Sequence, residues 1–280
     1  MPGAAAAGLR GWWPHMTRNA PQFDEGHPRR WHDADAAESY RYRAPYPPET
    51  FDILGALITD EPRRVLDIGC GTGALARPLA PMVDSVEAVD FSPEMVAAGR
   101  SLPGGDDARI RWAVSRGEEY ELRPPYALVV AGQSLHWMDT ELLLPRFATA
   151  LSPDGVLAVV NTVALDERPW DAPIGEIVKR FSTWKEYVPF DMIPFWQERR
   201  LFELRGERRT APVEFVQTAE ECIAGFHGQS HLTRAHIDDA AAFDAEIRSV
   251  LVGHCPDGMV RRQIAGNVVW GKPLAGLGAQ

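Results

Sequence analysis

The sequence predicts an α/β fold, a doubly wound and mostly parallel sheet followed by a helical, aromatic-rich cap. Three observations lead there. Short apolar strand-like runs alternate with helical segments from residue 64 to residue 164, a glycine-rich turn joins the first strand to its helix, and the alternation stops beyond Leu165. Strands separated by helices pair in parallel, because each crossover returns the chain in the same direction. With 280 residues, 45% hydrophobic and 24% charged, the chain can bury a sizeable core as one large domain or a domain with a subdomain.

The elements follow in order. Residues 1–35 are rich in Ala, Gly, Pro and Arg, carry Trp12, Trp13 and Trp31 without a sustained period, and read as a flexible tail. Met16 before Thr17 offers an internal start, which leaves open whether residues 1–15 are native. From Pro47, the spacing of Phe51, Leu54, Leu57 and Ile58 marks one face of a helix that ends near Asp60-Glu61-Pro62. Arg64 to Ile68 reads as a buried strand, Ala74 to about Met82 as a helix, Ser85 to Asp90 as a strand, and Pro93 to Arg100 as a helix opened by Ser92 and Pro93. Strand-like runs recur at 109–114, 126–131 and 156–163, with a helix over 141–150 before the last. Farther on, helices are expected over 173–187, 218–226 and 236–253, a short strand over 213–216 and a final strand over Asn267–Trp270. The expected division is a tail (1–35), a binding core with its leading helix (36–164), a cap and sheet-completing region (165–260), and a last strand with a C-terminal tail (261–280).

Charge and cysteine content exclude several function classes. Lys and Arg number 29 against 39 Asp and Glu, a net charge of −10, so a small partner is favoured over nucleic acid. Cys70, Cys222 and Cys255 form no CxxC pair, which argues against a disulfide framework or zinc and for a reducing compartment. No apolar run approaches the roughly 18 residues of a membrane span, and Pro2–Leu9 is too short for a signal segment. The expectation is a soluble, cytoplasmic protein without a membrane partner, its oligomeric state open.

The stretch VLDIGCGTGALA, residues 65–76, carries the chemistry. An apolar strand runs through Asp67 into Gly69, Gly71 and Gly73, and a helix follows at once, so backbone N–H groups are expected to converge where a ligand can approach the chain closely. Alone the pattern is ambiguous, since Gly69, Gly71 and Ala74 also satisfy the dinucleotide fingerprint. Asp90, 21 residues past Gly69 and ending the second strand, is placed to accept from ribose hydroxyls, although a turn-capping acid is the plainer reading of that residue by itself. The segment AGQSLHWMD, residues 131–139, follows the fourth strand.

Together these residues resemble the class I S-adenosylmethionine-dependent methyltransferases, in particular their small-molecule "type 11" group. Residues 67–73 resemble that family's first motif, VEAVDFSPEMVAAGR (86–100) its second, QSLHWMD (133–139) its segment after strand four, and YRYRAPYPPETFDIL (40–54) its leading helix, with Ala44 where proline is more usual. NVVWGKP (267–273) resembles the family's last antiparallel strand. The resemblance implies a seven-stranded Rossmann-like methyltransferase fold and S-adenosylmethionine as cofactor. It implies that Gly69, Gly71 and Gly73 admit the cofactor, Asp67 helps to hold its amino end, Asp90 its ribose, and Phe91 packs beside its adenine. Relatives place an acid after the third strand for the adenine amino group; Gly117 stands at the counterpart, so Glu118 or backbone must substitute. Gln133 is expected at the methionine moiety, and the entry segment Tyr40–Pro47 is expected to close over the cofactor, with the ring faces of Tyr42 and Tyr46 near the sulfonium.

Methyl transfer from a sulfonium is an in-line displacement that needs alignment and water exclusion, and a base only where the acceptor must lose a proton. His136 and Trp137 lie at the carboxyl edge of strand four; His136 is the candidate base, or a group that orients substrate. Tyr42 and Trp184 are further substrate candidates, and Arg43 a partner for the cofactor carboxylate. The cluster Trp170, Phe181, Trp184, Tyr187, Phe190, Phe195 and Trp196 reads as the wall of an apolar pocket and, compatibly, as the core of the cap, with about half of the rings expected to touch substrate. His227 and His231 invite a metal reading that no spaced carboxylate or cysteine supports, Glu118-Glu119 and Glu220-Glu221 read as solvated acids, and Cys70 as a packing residue. The expected function is methylation of an O, N or C nucleophile of a small metabolite. Its rivals are a nicotinamide-dependent oxidoreductase on the same fold and a non-catalytic cofactor-binding protein.

Overall fold

The computed structural model describes residues 38–184 and 191–275. The tail expected over residues 1–35, and Tyr187 and Phe190 of the aromatic cluster, lie outside them. The chain divides into two compact units, one of Tyr46–Asn161, Phe190–Thr210 and Gly266–Gln280, the other of Met1–Pro45, Thr162–Pro189 and Ala211–Ala265. Residues 190–210, expected with the cap, thus belong to the first unit.

The first unit is built on a sheet. Its strands are β1 (Arg64–Ile68), β2 (Ser85–Asp90), β3 (Ile110–Val114), β4 (Tyr126–Gly132), β5 (Leu151–Ala164, through residue 161), β6 (Phe202–Arg209) and the end of β8 (Met259–Pro273). They lie in the order β3-β2-β1-β4-β5-β8-β6. Strands β1, β2, β3, β4 and β5 pair in parallel, whereas β8 runs antiparallel to β6 over residues 267–273. Successive side chains alternate between two buried faces. Val65, Val86, Ala88, Leu128 and Val130 pack with Ile53 and Leu54 of α1 (Glu49–Leu57) and with Ala76 and Leu79 of α2 (Ala76–Leu79). Leu66, Ile68, Val129 and Ala131 face the other way, against Leu143, Leu144 and Phe147 of α4 (Thr140–Ala150). A third helix, α3 (Pro93–Ser101), starts where Ser92 Oγ accepts from Met95 N at 3.1 Å with Pro93 in the first turn.

Three departures from the expected elements have local causes. Helix α2 begins at Ala76 rather than Ala74, because Gly73–Leu75 still belong to the turn and the Asp67 carboxylate accepts the Ala76 N–H at 3.0 Å; its last turn, Ala80–Met82, is 3-10. Strand β6 makes the described strands eight rather than seven. Most of its residues are charged and exposed, as suits a sheet edge, and so carry no apolar alternation to read. Helix α6 (Met192–Glu198), capped by Asp191, sends Trp196 into the sheet unit's core, fully buried with Nε1 donating to Thr140 Oγ1 at 3.0 Å and its ring 5.7 Å from Phe202. Trp196 is therefore core and not pocket wall.

The second unit packs α5 (Asp171–Phe181), α7 (Ala219–His227) and α8 (Ala240–His254) around Ile174, Ile223, Phe226, Phe243 and Ile247. Strand β7 (Val213–Thr218) pairs antiparallel with the first part of β8. Trp170 and Phe181 join this core, Phe181 meeting Phe243 edge to face at 5.6 Å. Glu221 is not merely solvated: with Thr218 it closes a capping box on α7, while Glu220 pairs with Arg248. Both ring nitrogens of His227 are hydrogen-bonded, to Leu232 O and Asp244 Oδ1 at 2.7 Å each. Among the described residues no helix is long and apolar enough to cross a membrane.

Candidate functional site

The strand order reverses between β1 and β4, and an open parallel sheet has its ligand crevice beyond the carboxyl ends of the strands at such a point. The residues marked in the sequence gather there. After β1 the chain turns through Gly69, Gly71 and Gly73, all at positive φ (70°, 54° and 74°), a backbone that L side chains rarely adopt. A Cβ on Gly69 would lie 2.5 Å from Ser134 Cβ and 2.8 Å from Met138 Cε, and one on Gly73 would lie 2.4 Å from the Trp112 ring. After β4 the chain turns sharply through Gln133, itself at φ 52°, and Ser134 Oγ donates to Ile68 O at 2.6 Å. The two loops are thereby tied to each other.

Four N–H groups of the glycine loop are spent inside the fold rather than on open space, which narrows the expectation for this turn. Gly69 and Cys70 donate to Val89 O at 2.8 and 2.9 Å, Gly73 to Cys70 O at 2.8 Å, and Gly71 to Asp90 Oδ2 at 2.8 Å. Asp90 also accepts Ser92 N on Oδ1 at 2.9 Å. It is the acid that organises the turn, through one hydrogen bond on each of its two oxygens. Phe91 follows it, partly exposed.

Asp67 is 1% exposed beneath the loop. Burial raises its carboxyl to about 7; the Ala76 hydrogen bond opposes the shift and the nearby Asp90 adds to it. The folded chain therefore holds a proton on Asp67 that the unfolded chain has lost above about pH 4. The sign follows: this stability is full below the unfolded value and is lost as pH rises through 7. Asp67→Asn, which still accepts from Ala76, is expected to flatten the fall in unfolding free energy between pH 5 and 8 by roughly 2–3 kcal/mol in urea titrations. Burial also pushes the Cys70 thiol well above its ordinary range, in keeping with a packing role.

The remaining candidates divide between the units. In the sheet unit, a Cβ on Gly132 would meet the Tyr46 hydroxyl at 2.5 Å and Leu75 at 2.8 Å, so Tyr46 lies over the end of β4 beside the glycine loop. His136 and Trp137 sit on the 3-10 turn Leu135–Trp137, rings 5.0 Å apart. Gly117 is buried against Met138 and Ile68, and the Glu118 carboxylate accepts Asp139 N at 2.8 Å. Glu118 thus spends an oxygen on the first turn of α4. Tyr42 and Trp184 belong to the second unit: Tyr42 accepts from Arg41 at 2.6 Å, and Trp184 stacks on His231 at 4.6 Å. Sequence reasoning missed Ser134, Met138 and Trp112, whose importance comes from filling the space that the glycines leave.

Comparison with known proteins agrees with this geometry. Residues 65–155 match the sequence model of the methyltransferase domain family. An uncharacterized methyltransferase of Mycobacterium bovis is 35% identical over 141 residues, which cover 50% of this chain and 55% of that protein. A trans-aconitate 2-methyltransferase of Mycobacterium sp. (strain KMS) is 35% identical over 151 residues, covering 52% and 54%. The matches thus span about half the length of these curated relatives. A structure from Anaeromyxobacter dehalogenans assigned as a type II methyltransferase superposes with a TM-score of 0.60 at 21% identity, over 83% of this chain and 99% of that one. A Haemonchus contortus phosphoethanolamine N-methyltransferase 2, in complex with S-adenosyl-L-methionine, gives 0.51 at 18% identity, over 90% and 60%. These two likenesses establish the fold.

Proposed function

We propose, from the match of residues 65–155 to the methyltransferase domain family, that the chain is a class I, S-adenosylmethionine-dependent methyltransferase that moves the cofactor's methyl group to an O, N or C nucleophile of a small molecule. The observation that carries this reading is how the glycine loop spends its N–H groups. A dinucleotide's pyrophosphate needs open backbone donors at a helix N-terminus. Here Gly69, Cys70, Gly71 and Gly73 donate within the fold and the helix waits until Ala76, which suits a cofactor without phosphate.

In this reading Gly69, Gly71 and Gly73 let the cofactor lie against the backbone, Asp90 accepts from its ribose hydroxyls, and Asp67 supports its amino end from below the loop. Phe91, Gly117 and Glu118 line the adenine, Gln133 and Tyr46 the methionine side. His136 and Trp137 face the acceptor, whereas Tyr42 and Trp184, which belong to the second unit, are given no part in this site. A net charge of −10 supports a small acceptor over nucleic acid, and a cytoplasmic setting belongs to the same proposal. Relatives named trans-aconitate 2-methyltransferase make a carboxylate oxygen the first acceptor to try.

Calorimetry with S-adenosylmethionine, S-adenosylhomocysteine and NAD, followed by methyl-labelled cofactor with a panel of carboxylates and extract metabolites, tests the reading. Binding of the sulfonium cofactor with labelled small-molecule product is expected. Nicotinamide binding alone would sink it. Asp90→Ala is expected to weaken cofactor binding by roughly 1–3 kcal/mol, since it leaves ribose hydroxyls and the Gly71 N–H without their acceptor.

A further inference from the structure

The loop after β3 is held by a residue no motif marks. Arg146, two turns into α4, donates Nη1 to Gly117 O at 3.3 Å and to Glu118 O, and Nη2 to Tyr120 O at 2.5 Å. It forms no ion pair with a carboxylate among the described residues, so the planar fork is spent on three carbonyls of a single loop. Two further ties fix the same loop: Ser115 N donates to Asp90 O at 2.9 Å, and Asp139 N to Glu118 Oε1 at 2.8 Å. Met138 and Ile68 occupy the space where a Gly117 side chain would stand.

This arrangement leaves particular groups unspent. The carbonyls of Gly117, Glu118 and Tyr120 are taken by Arg146, and the N–H groups of Glu119 and Tyr120 by Arg116 O. The N–H groups of Arg116, Gly117 and Glu118 have no partner among the described residues, and Gly117 is buried. A buried donor without an acceptor is uncommon enough to require a ligand or water. The loop starts at the main chain of Asp90, which the proposed function gives to the ribose.

We infer that Arg146 is a positioning residue for the base of the cofactor. By fixing three carbonyls, it turns the N–H groups of residues 116–118 into a rigid donor edge that selects a purine presenting a ring-nitrogen acceptor, as adenine does at N1, over one presenting N1–H, as hypoxanthine does. Without the guanidinium the carbonyls are released, the loop relaxes, and that selection is lost although no ligand-contacting side chain has changed. The inference rests on the methyltransferase reading and deepens it.

The test is calorimetry of the full chain with S-adenosylhomocysteine and S-inosylhomocysteine, for the unsubstituted protein, Arg146→Gln and Arg146→Lys, with thermal melts of each and kcat at saturating cofactor. Arg146→Gln is expected to weaken S-adenosylhomocysteine by about tenfold to a hundredfold and to cut the adenosyl-over-inosyl preference by about tenfold. Arg146→Lys should restore part of that preference, and kcat at saturation should change less than about threefold, the loss appearing in KM. Equal weakening of both ligands, or an unchanged ratio, overturns the inference, because general loosening lowers both alike. Should Arg146→Gln fail to fold, the ratio in Arg146→Lys decides by the same criterion. Failure of the unsubstituted protein to bind either ligand overturns the methyltransferase reading, and this inference with it.

Discussion

Gly69→Val is expected to reduce affinity for S-adenosylmethionine more than about a hundredfold, through two costs that add at one atom. Valine at φ 70° is a strained backbone outlier, costing on the order of 1–3 kcal/mol. Its Cβ would also stand 2.5 Å from Ser134 Cβ, 2.8 Å from Met138 Cε and 3.0 Å from Ser134 Oγ. To make room Ser134 must move, breaking its 2.6 Å hydrogen bond to Ile68 O and parting the loops after β1 and β4, the two walls of the proposed cofactor site. Two controls separate this from plain destabilisation. Gly258, at φ 73° with nothing within 4 Å of the place a Cβ would occupy, carries the strain without the clash. Leu143→Ala empties part of a fully buried core position on α4 at a cost of about 2–5 kcal/mol and adds no atom at the loop. Gly258→Val and Leu143→Ala should lower the melting temperature while leaving cofactor affinity within about threefold. If all three variants lose affinity in proportion to melting temperature, the steric account of Gly69 is wrong.

What the sequence disclosed, and what it withheld, divides along contact range. The glycine turn, Asp90 and the Ser92–Pro93 start of α3 were legible because each is a local signal whose physics operates within a few residues: positive φ, a capping oxygen, a proline at a helix start. The parallel strands were legible as short apolar runs, since both faces of β1, β2 and β4 are covered. Strand β6 was not, because at an edge its charged residues keep no alternation. Ser134 is 66 residues from its partner Ile68, and Arg146 is 26 to 29 from the carbonyls it holds. No periodicity encodes such pairs.

The fate of the glycine-loop donors escapes a sequence reading for a related reason. The positive-φ pattern shows that the backbone turns tightly, but not whether the N–H groups then point outward or are consumed. Their acceptors, Val89 O and the Asp90 carboxylate, arrive from β2, across a parallel ladder that pairs Ile68 with Val89. The aromatic cluster shows the same limit. Trp196 and Phe181 look alike as sequence, yet one belongs to the core of the sheet unit and the other to that of the helical unit.

The acceptor's chemistry decides the second large effect. If the methyl group goes to a hydroxyl, a proton must leave as the new bond forms, and His136, on the turn following Gln133 and Ser134, is the group to take it. His136→Ala should then lower kcat by about 10² to 10⁴ with cofactor affinity unchanged, and activity should fall on the acid side as the imidazole protonates, within roughly pH 5 to 8. If the acceptor is a carboxylate, it is already a deprotonated nucleophile at neutral pH. The displacement then needs orientation alone, which can itself supply about 7–11 kcal/mol of barrier lowering. In that case His136→Ala should act mainly on the acceptor's KM, and the rate of the wild type should not follow the imidazole's titration. A pH profile of kcat for both proteins, on the acceptor that the labelled-cofactor screen yields, separates the two. A large kcat loss with an acid limb that vanishes in His136→Ala establishes the base, and an unimpaired variant removes His136 from the reaction while leaving the cofactor site intact.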